Sequence, residues 1–203
     1  MFNIKGDLKG IKKHLNRTQK KLLPQATVKA INKTLFQIMD AEKVQIHKKL
    51  DRPNPFTQKA FKIRMAKPNQ WVIEGDIHIQ PNRWKYLKFA VDGGTKTGEL
   101  GVPIMANAKL NKYGNIAGRG RNRYIKGNRQ FRATINGVDG VWAKTGGKKN
   151  PKLKLMVVFK RSLNYKKIFP FYKIADSLAR NMFQRNIDYS LRKLGNQIGR
   201  AHV

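Results

Sequence analysis

His78 stands two residues from Asp76 and four from Glu74, a spacing that on a strand sends all three side chains to one face. A zinc or iron site needs three or more convergent ligands. The remaining histidines, His14, His47 and His202, form no close pair with anything comparable. The four therefore read as ordinary surface or hydrogen-bonding residues, and no metal or cofactor is expected. Metal nucleases gather carboxylates around one or two ions. Of the acids nearest the glycine-rich middle, Asp92, Glu99 and Asp139, only the first two fall moderately close, and they read more simply as a turn residue and a surface charge. With no Cys, the chain has no thiolate nucleophile, disulfide or cysteine metal site. The expectation is a protein without catalytic turnover.

The chemistry on offer is cationic. Lys109, Lys112, Arg119, Arg121, Arg123, Lys126, Arg129 and Arg132 follow one another with no acid between them. Eight like charges repel in an isolated loop, so they are candidate contacts to DNA phosphate or to an acidic partner. The string Gly118-Arg119-Gly120-Arg121-Asn122-Arg123 lacks both the Gly-Lys-Ser/Thr ending and the preceding apolar strand of a nucleotide loop. Tyr113, Tyr124 and Phe131 interleave with these charges, reading first as anchors to a protein partner and second as base-stacking residues. The whole 203-residue chain has 44 Lys and Arg against 11 Asp and Glu, a formal charge of +33. Its halves carry about +13 and +20, so the excess is not a detached tail. A free monomer with this charge repels itself; a polyanion or an assembly surface of opposite sign is expected nearby. No apolar run approaches the ~18 residues of a membrane span, and the N-terminus has no signal-peptide apolar core.

Helical spacing frames the chain. Leu8, Ile11, Leu15 and Leu22 suggest a first helix over 8–22, and Pro24 is expected to interrupt it and open a second. That second helix, to about Leu50, buries Val28, Ile31, Leu35, Ile38, Ile46 and Leu50. Glu42 falls on the stripe and should lie at its edge or meet a basic partner. Pro53 and Pro55 stop the helix, and a short one is expected over 57–65. The period then changes: Trp71, Ile73, Ile77 and Ile79 alternate with polar residues as a half-buried strand, with Gly75 marking a bulge or a close backbone approach. Residues 84–91 fit either strand or helix. Residues 93–128, rich in Gly and basic residues, read as an extended insertion or arm, since loops beyond about 12–15 residues are uncommon in compact domains. Strands are expected over 131–137, 138–144 and 153–159, with Trp142 in the core. A closing helix from Pro170 carries Ile174, Leu178, Met182, Ile187, Leu191, Leu194 and Ile198. Phe169-Pro170-Phe171-Tyr172 should fix its entry angle. The expected fold is a single α+β domain over 1–203, its long N- and C-terminal helices packed on a small mostly antiparallel sheet, with 93–128 inserted.

The chain also resembles the minor tail protein Z family of tailed bacteriophages, a tail completion or neck-region family. The resemblance lies in Leu23 to Thr34, with its Ala-Ile-Asn-Lys run, in the basic helix end before Arg52-Pro53, and in Phe131 to Trp142 followed by Gly146-Gly147. It continues through Leu153 to Phe159, Tyr165 and Phe169 to Tyr172. What the resemblance implies is a non-enzymatic virion component that forms a cyclic homo-oligomer at the head-proximal end of the tail. Such a ring would surround the DNA passage and adjoin other neck, connector or tail-tube proteins, after assembly in the host cytoplasm. The competing expectation is a nonspecific nucleic-acid-binding protein acting alone in packaging or recombination; a nuclease is the third.

Overall fold

The computed structural model describes residues 1–9, 16–68, 72–116, 125, 129–147 and 150–200. Along the chain the elements are β1 (Phe2–Asp7), α1 (Arg17–Lys49), α2 (Pro55–Gln58), β2 (Phe61–Arg64), β3 (Val72–Ile79), α3 (Pro81–Val91), β4 (Gly94–Pro103), β5 (Gln130–Ile135), β6 (Val138–Thr145), β7 (Lys152–Tyr165) and α4 (Phe171–Arg200). The fold is α+β. Its contacts group into two compact units. The first takes Met1–Leu50, Pro55–Leu87 and the chain from Phe169 onward; the second takes Asp51–Asn54 and Lys88–Ile168.

In the first unit α1 begins at a capping box: Asn16 accepts from the Gln19 amide at 2.8 Å, and Gln19 accepts from the Asn16 amide at 3.0 Å. The helix then runs through Pro24 to Lys49 without ending, so the expected break at Pro24 is corrected. An interior proline costs about 3 kcal/mol; here Pro24 is buried, and the cap upstream together with packing downstream outweighs that cost. The expected helix start at Leu8 is also corrected. Residues 2–7 are a strand, and the Lys9 amide donates to Asp7 Oδ1 in the turn that follows; Ile11 and Leu15 lie outside the described residues. Ile31, Leu35, Ile38 and Ile46 are fully buried, as the stripe predicts.

The first sheet has the order β1-β3-β2, antiparallel throughout. α1 packs against all three strands and α4 against β1. Residues 61–64, expected in a helix, pair as β2 because Phe61 and Ile63 alternate with Lys62 and Arg64 and match Ile79 and Ile77 across the ladder. Gly75 is the close approach its position suggests: a Cβ there would lie 2.8 Å from Leu35 Cδ1. Phe61 meets the Phe169 and Phe171 rings at 6.1 and 5.9 Å, which seats the start of α4. Along α4 the buried row is Phe171, Ala175, Asn186, Ser190 and Leu194, whereas Leu191 is exposed. The facing row is therefore rotated from the expected apolar stripe. Asn186 Nδ2 donates to Thr34 Oγ1 at 2.9 Å and to Gln37 Oε1 at 2.8 Å, so a polar pair takes the place of an apolar contact.

In the second unit the sheet order is β4-β7-β6-β5, again antiparallel. β5 and β6 form a two-residue hairpin at Asn136-Gly137, whose φ values of 50° and 76° suit a type I′ turn. Trp142 is half-buried and its Nε1 donates to the Ala133 carbonyl at 3.0 Å. Residues 94–103, expected in the extended arm, are an edge strand paired along β7 with a bulge between Thr97 and Leu100. Threonines at positions 95 and 97 and Val102 supply the β-branched side chains that pair there.

Candidate partner interface

The loop after β4 is held by hydrogen bonds within itself and to β7. Asn107 Nδ2 donates to the Leu155 carbonyl at 2.8 Å, and Leu110 bridges Ile116. Between them Asn111 Oδ1 accepts from the amides of Tyr113 and Asn115 at 2.9 and 3.1 Å, a side chain standing in for backbone in a turn. Gly114 has φ +73°, and a Cβ on it would fall 2.9 Å from Arg52 Nη2. Residues 104–116 thus follow a defined course, and the extended arm is not found among the described residues of the segment 93–128. Lys109 and Lys112 stand exposed on this loop, with Lys112 Nζ 5.2 Å from the Tyr113 ring centroid. Arg129 is exposed just before β5. Arg119, Arg121, Arg123, Lys126 and Tyr124 lie outside the described residues.

Arg132 differs from these. Its Nη1 and Nη2 donate to the two Glu99 oxygens, each at 3.1 Å, while Nε and Nη2 donate to Asp139 at 3.3 and 2.8 Å. The guanidinium lies 4.2 Å from the centre of the Phe159 ring. Hydrogen bonds donated to Asp139 and then to Glu99 hold its pKa above the usual arginine value. An external anion reaches this guanidinium only by displacing two carboxylates. The acids that engage it lie outside the basic stretch, Glu99 on β4 and Asp139 across the hairpin on β6, so the run of basic residues by itself carries no sign of them. Phe131 has Lys144 Nζ 5.5 Å from its ring centroid.

The histidine reading resolves on the first sheet. Asp76, with 2% of its side chain exposed, accepts from His78 Nδ1 at 2.8 Å and from Arg64 Nε. Burial pushes the Asp76 carboxyl up, but the hydrogen bonds from Arg64 and His78 and the Arg64 charge outweigh it and hold it below the usual range. An ionised carboxylate only accepts, so His78 Nδ1 is the donor in this pair. Glu74 Oε1 lies 3.7 Å from Arg64 Nη2. Among the described residues no group of three or more His, Asp or Glu could hold a metal ion, and no helix is long and apolar enough to cross a membrane. No family model, curated protein or solved structure matches the chain.

Its own acids cannot neutralise this protein. The chain has 44 Lys and Arg against 11 Asp and Glu, and among the described residues the ion pairs with lysine or arginine draw on Lys43, Arg52, Arg64, Arg132 and Arg180 alone. Glu42 joins none of these pairs and is buried without a hydrogen-bond partner for either oxygen. The expectation that it sits at the stripe's edge or meets a cation is corrected: it stands among the fully buried side chains of α1, between the Ile38 and Ile46 turns.

Proposed function

We propose that the chain is a structural subunit of a tailed-bacteriophage virion, a tail completion or neck protein that assembles as a cyclic ring around the DNA passage at the head-proximal end of the tail. The observation that carries this reading is the charge: an α+β fold bearing +33 whose own acids engage few of its cations. Repulsion at this density is relieved when many cations face a polyanion, and a ring presents them together. Head-to-tail contacts around a cyclic axis generate such a ring. The resemblance of residues 23–34, 131–142 and 169–172 to the minor tail protein Z family supports the same reading. The basic segment contributes through Lys109, Lys112 and Arg129, together with Arg119, Arg121, Arg123 and Lys126, which tether the subunit to an acidic neighbour or line the DNA path.

Light scattering on purified protein without nucleic acid tests the proposal. A defined oligomer that adopts a ring in electron micrographs is expected, and changing Arg119, Arg121 and Arg123 together to Ala should impair it while DNA affinity changes little. A protein that stays monomeric until DNA is added would replace this reading with a solitary nucleic-acid binder. Metal-dependent cleavage of DNA that is lost in Asp92→Ala or Glu99→Ala would replace it with a nuclease.

A further inference from the structure

In the first unit an exposed aromatic pair is held in place by an arginine. Phe56, on α2, and Tyr86, on α3, are 48% and 37% exposed, with ring centroids 6.5 Å apart and planes 29° from parallel. Arg83 lies against Phe56, its guanidinium carbon 4.2 Å from the ring centroid. Its orientation is fixed twice over: Nε donates to the Phe56 carbonyl at 2.7 Å, and Nη1 donates to Gln80 Oε1. Tyr86 is fixed as well, its hydroxyl 2.9 Å from Thr57 Oγ1. Large rings are usually turned inward, and an exposed pair that is also preorganised has a low entropic cost for receiving a ligand.

The surrounding charge narrows the ligand. No acid occurs in residues 52–73 or 77–91, and Lys59 and Lys85 stand exposed beside the pair in sequence. Arg83 has no carboxylate partner among the described residues, in contrast to Arg132. An anionic ligand with flat, apolar faces fits both features. Successive bases of a single strand meet that description, because every base has a π face and every linkage a phosphate. A duplex hides its faces in the stack.

We propose that Phe56, Tyr86 and Arg83 form a stacking platform for single-stranded nucleic acid, with Lys59 and Lys85 at the adjoining phosphates. Sequence preference is weak, since stacking does not read base edges. The platform does not depend on ring assembly, and its test is separate from that of the proposed function.

The test uses the full chain and fluorescence anisotropy with a labelled oligothymidylate of about 20 nucleotides, beside a duplex of equal length. Phe56→Leu with Tyr86→Leu keeps apolar side chains and the charge but removes both π faces, together with the Tyr86 hydroxyl. The double variant should lose at least about fivefold in single-strand affinity, with an unchanged slope of log affinity against log salt and unchanged duplex binding. Arg83→Lys, which keeps the charge and loses the planar stack, should weaken single-strand binding in the same sense and serves if the double variant melts early. Unchanged single-strand affinity in a folded variant would overturn the proposal, as would equal losses on single strand and duplex. Loss confined to binding of a Glu/Tyr copolymer would assign the platform to an acidic protein and overturn it too.

Discussion

At the scale of single residues, Glu42 has the largest consequence for stability. Desolvation by burial raises its pKa from 4.5 to about 8, so it is neutral in the folded protein near pH 7 and ionised in the unfolded chain. The folded state therefore binds more protons between these values. The stabilisation linked to this proton is complete below about pH 4.5 and is lost as pH rises through about 8. At about 1.4 kcal/mol per pH unit, wild type should lose roughly 3 kcal/mol more than Glu42→Gln between pH 5 and pH 8. Urea unfolding of both proteins at the two pH values measures it; equal losses would show that Glu42 titrates normally. Glu42→Leu should stabilise the protein most at the alkaline end, because it removes a buried group that lacks a hydrogen bond. Replacing Ile31, fully buried on the same helix, with Asp should instead cost several kcal/mol and lower the melting temperature by circular dichroism.

Elements show where local pattern suffices and where it does not. The stripe of α1 and the alternation of β3 are legible because each repeats over several turns or pleats, and the aromatic entry to α4 because Pro170 marks a helix start amid three rings. Pro24 reads as a break because a local rule carries no information about the packing that overrides it. β2 reads as helix for the opposite reason: four residues are too few to separate a helix turn from a pleat. The rotated face of α4 depends on Asn186 finding Thr34 and Gln37, partners about 150 residues away. The same holds at the candidate interface, where Arg132 looked like its basic neighbours until β4 and β6 brought Glu99 and Asp139 to it. Gly140 is a test of how tightly β6 and β7 are built. A Cβ there would lie 2.4 Å from the Val157 carbonyl oxygen, so Gly140→Ala must shift backbone. A loss of about 1–3 kcal/mol is expected in denaturant melts, with Trp142 emission as a reporter of the second unit.

For the whole molecule the decisive feature is that the first unit is discontinuous in sequence, whereas almost all of the second lies in the single stretch Lys88–Ile168. The Ile168 amide donates to the Ala90 carbonyl at 2.9 Å, so that stretch enters and leaves at one place. On the ribosome this imposes an order. α1 packs on α4, but about 120 residues must be made after Lys49 before α4 begins, roughly 6–24 s at 5–20 residues per second. The second sheet is complete in the nascent chain before α4 is made, while Thr34 and Gln37, which Asn186 meets in the finished fold, have no helix to cover them. A chain stopped at Ile168 should therefore yield a protease-resistant fragment containing 88–168 and a readily cleaved α1. Chaperones that bind exposed apolar helices would find their longest opportunity in the first fifty residues, and premature termination should leave the basic sheet folded and the amino-terminal helix prone to aggregate.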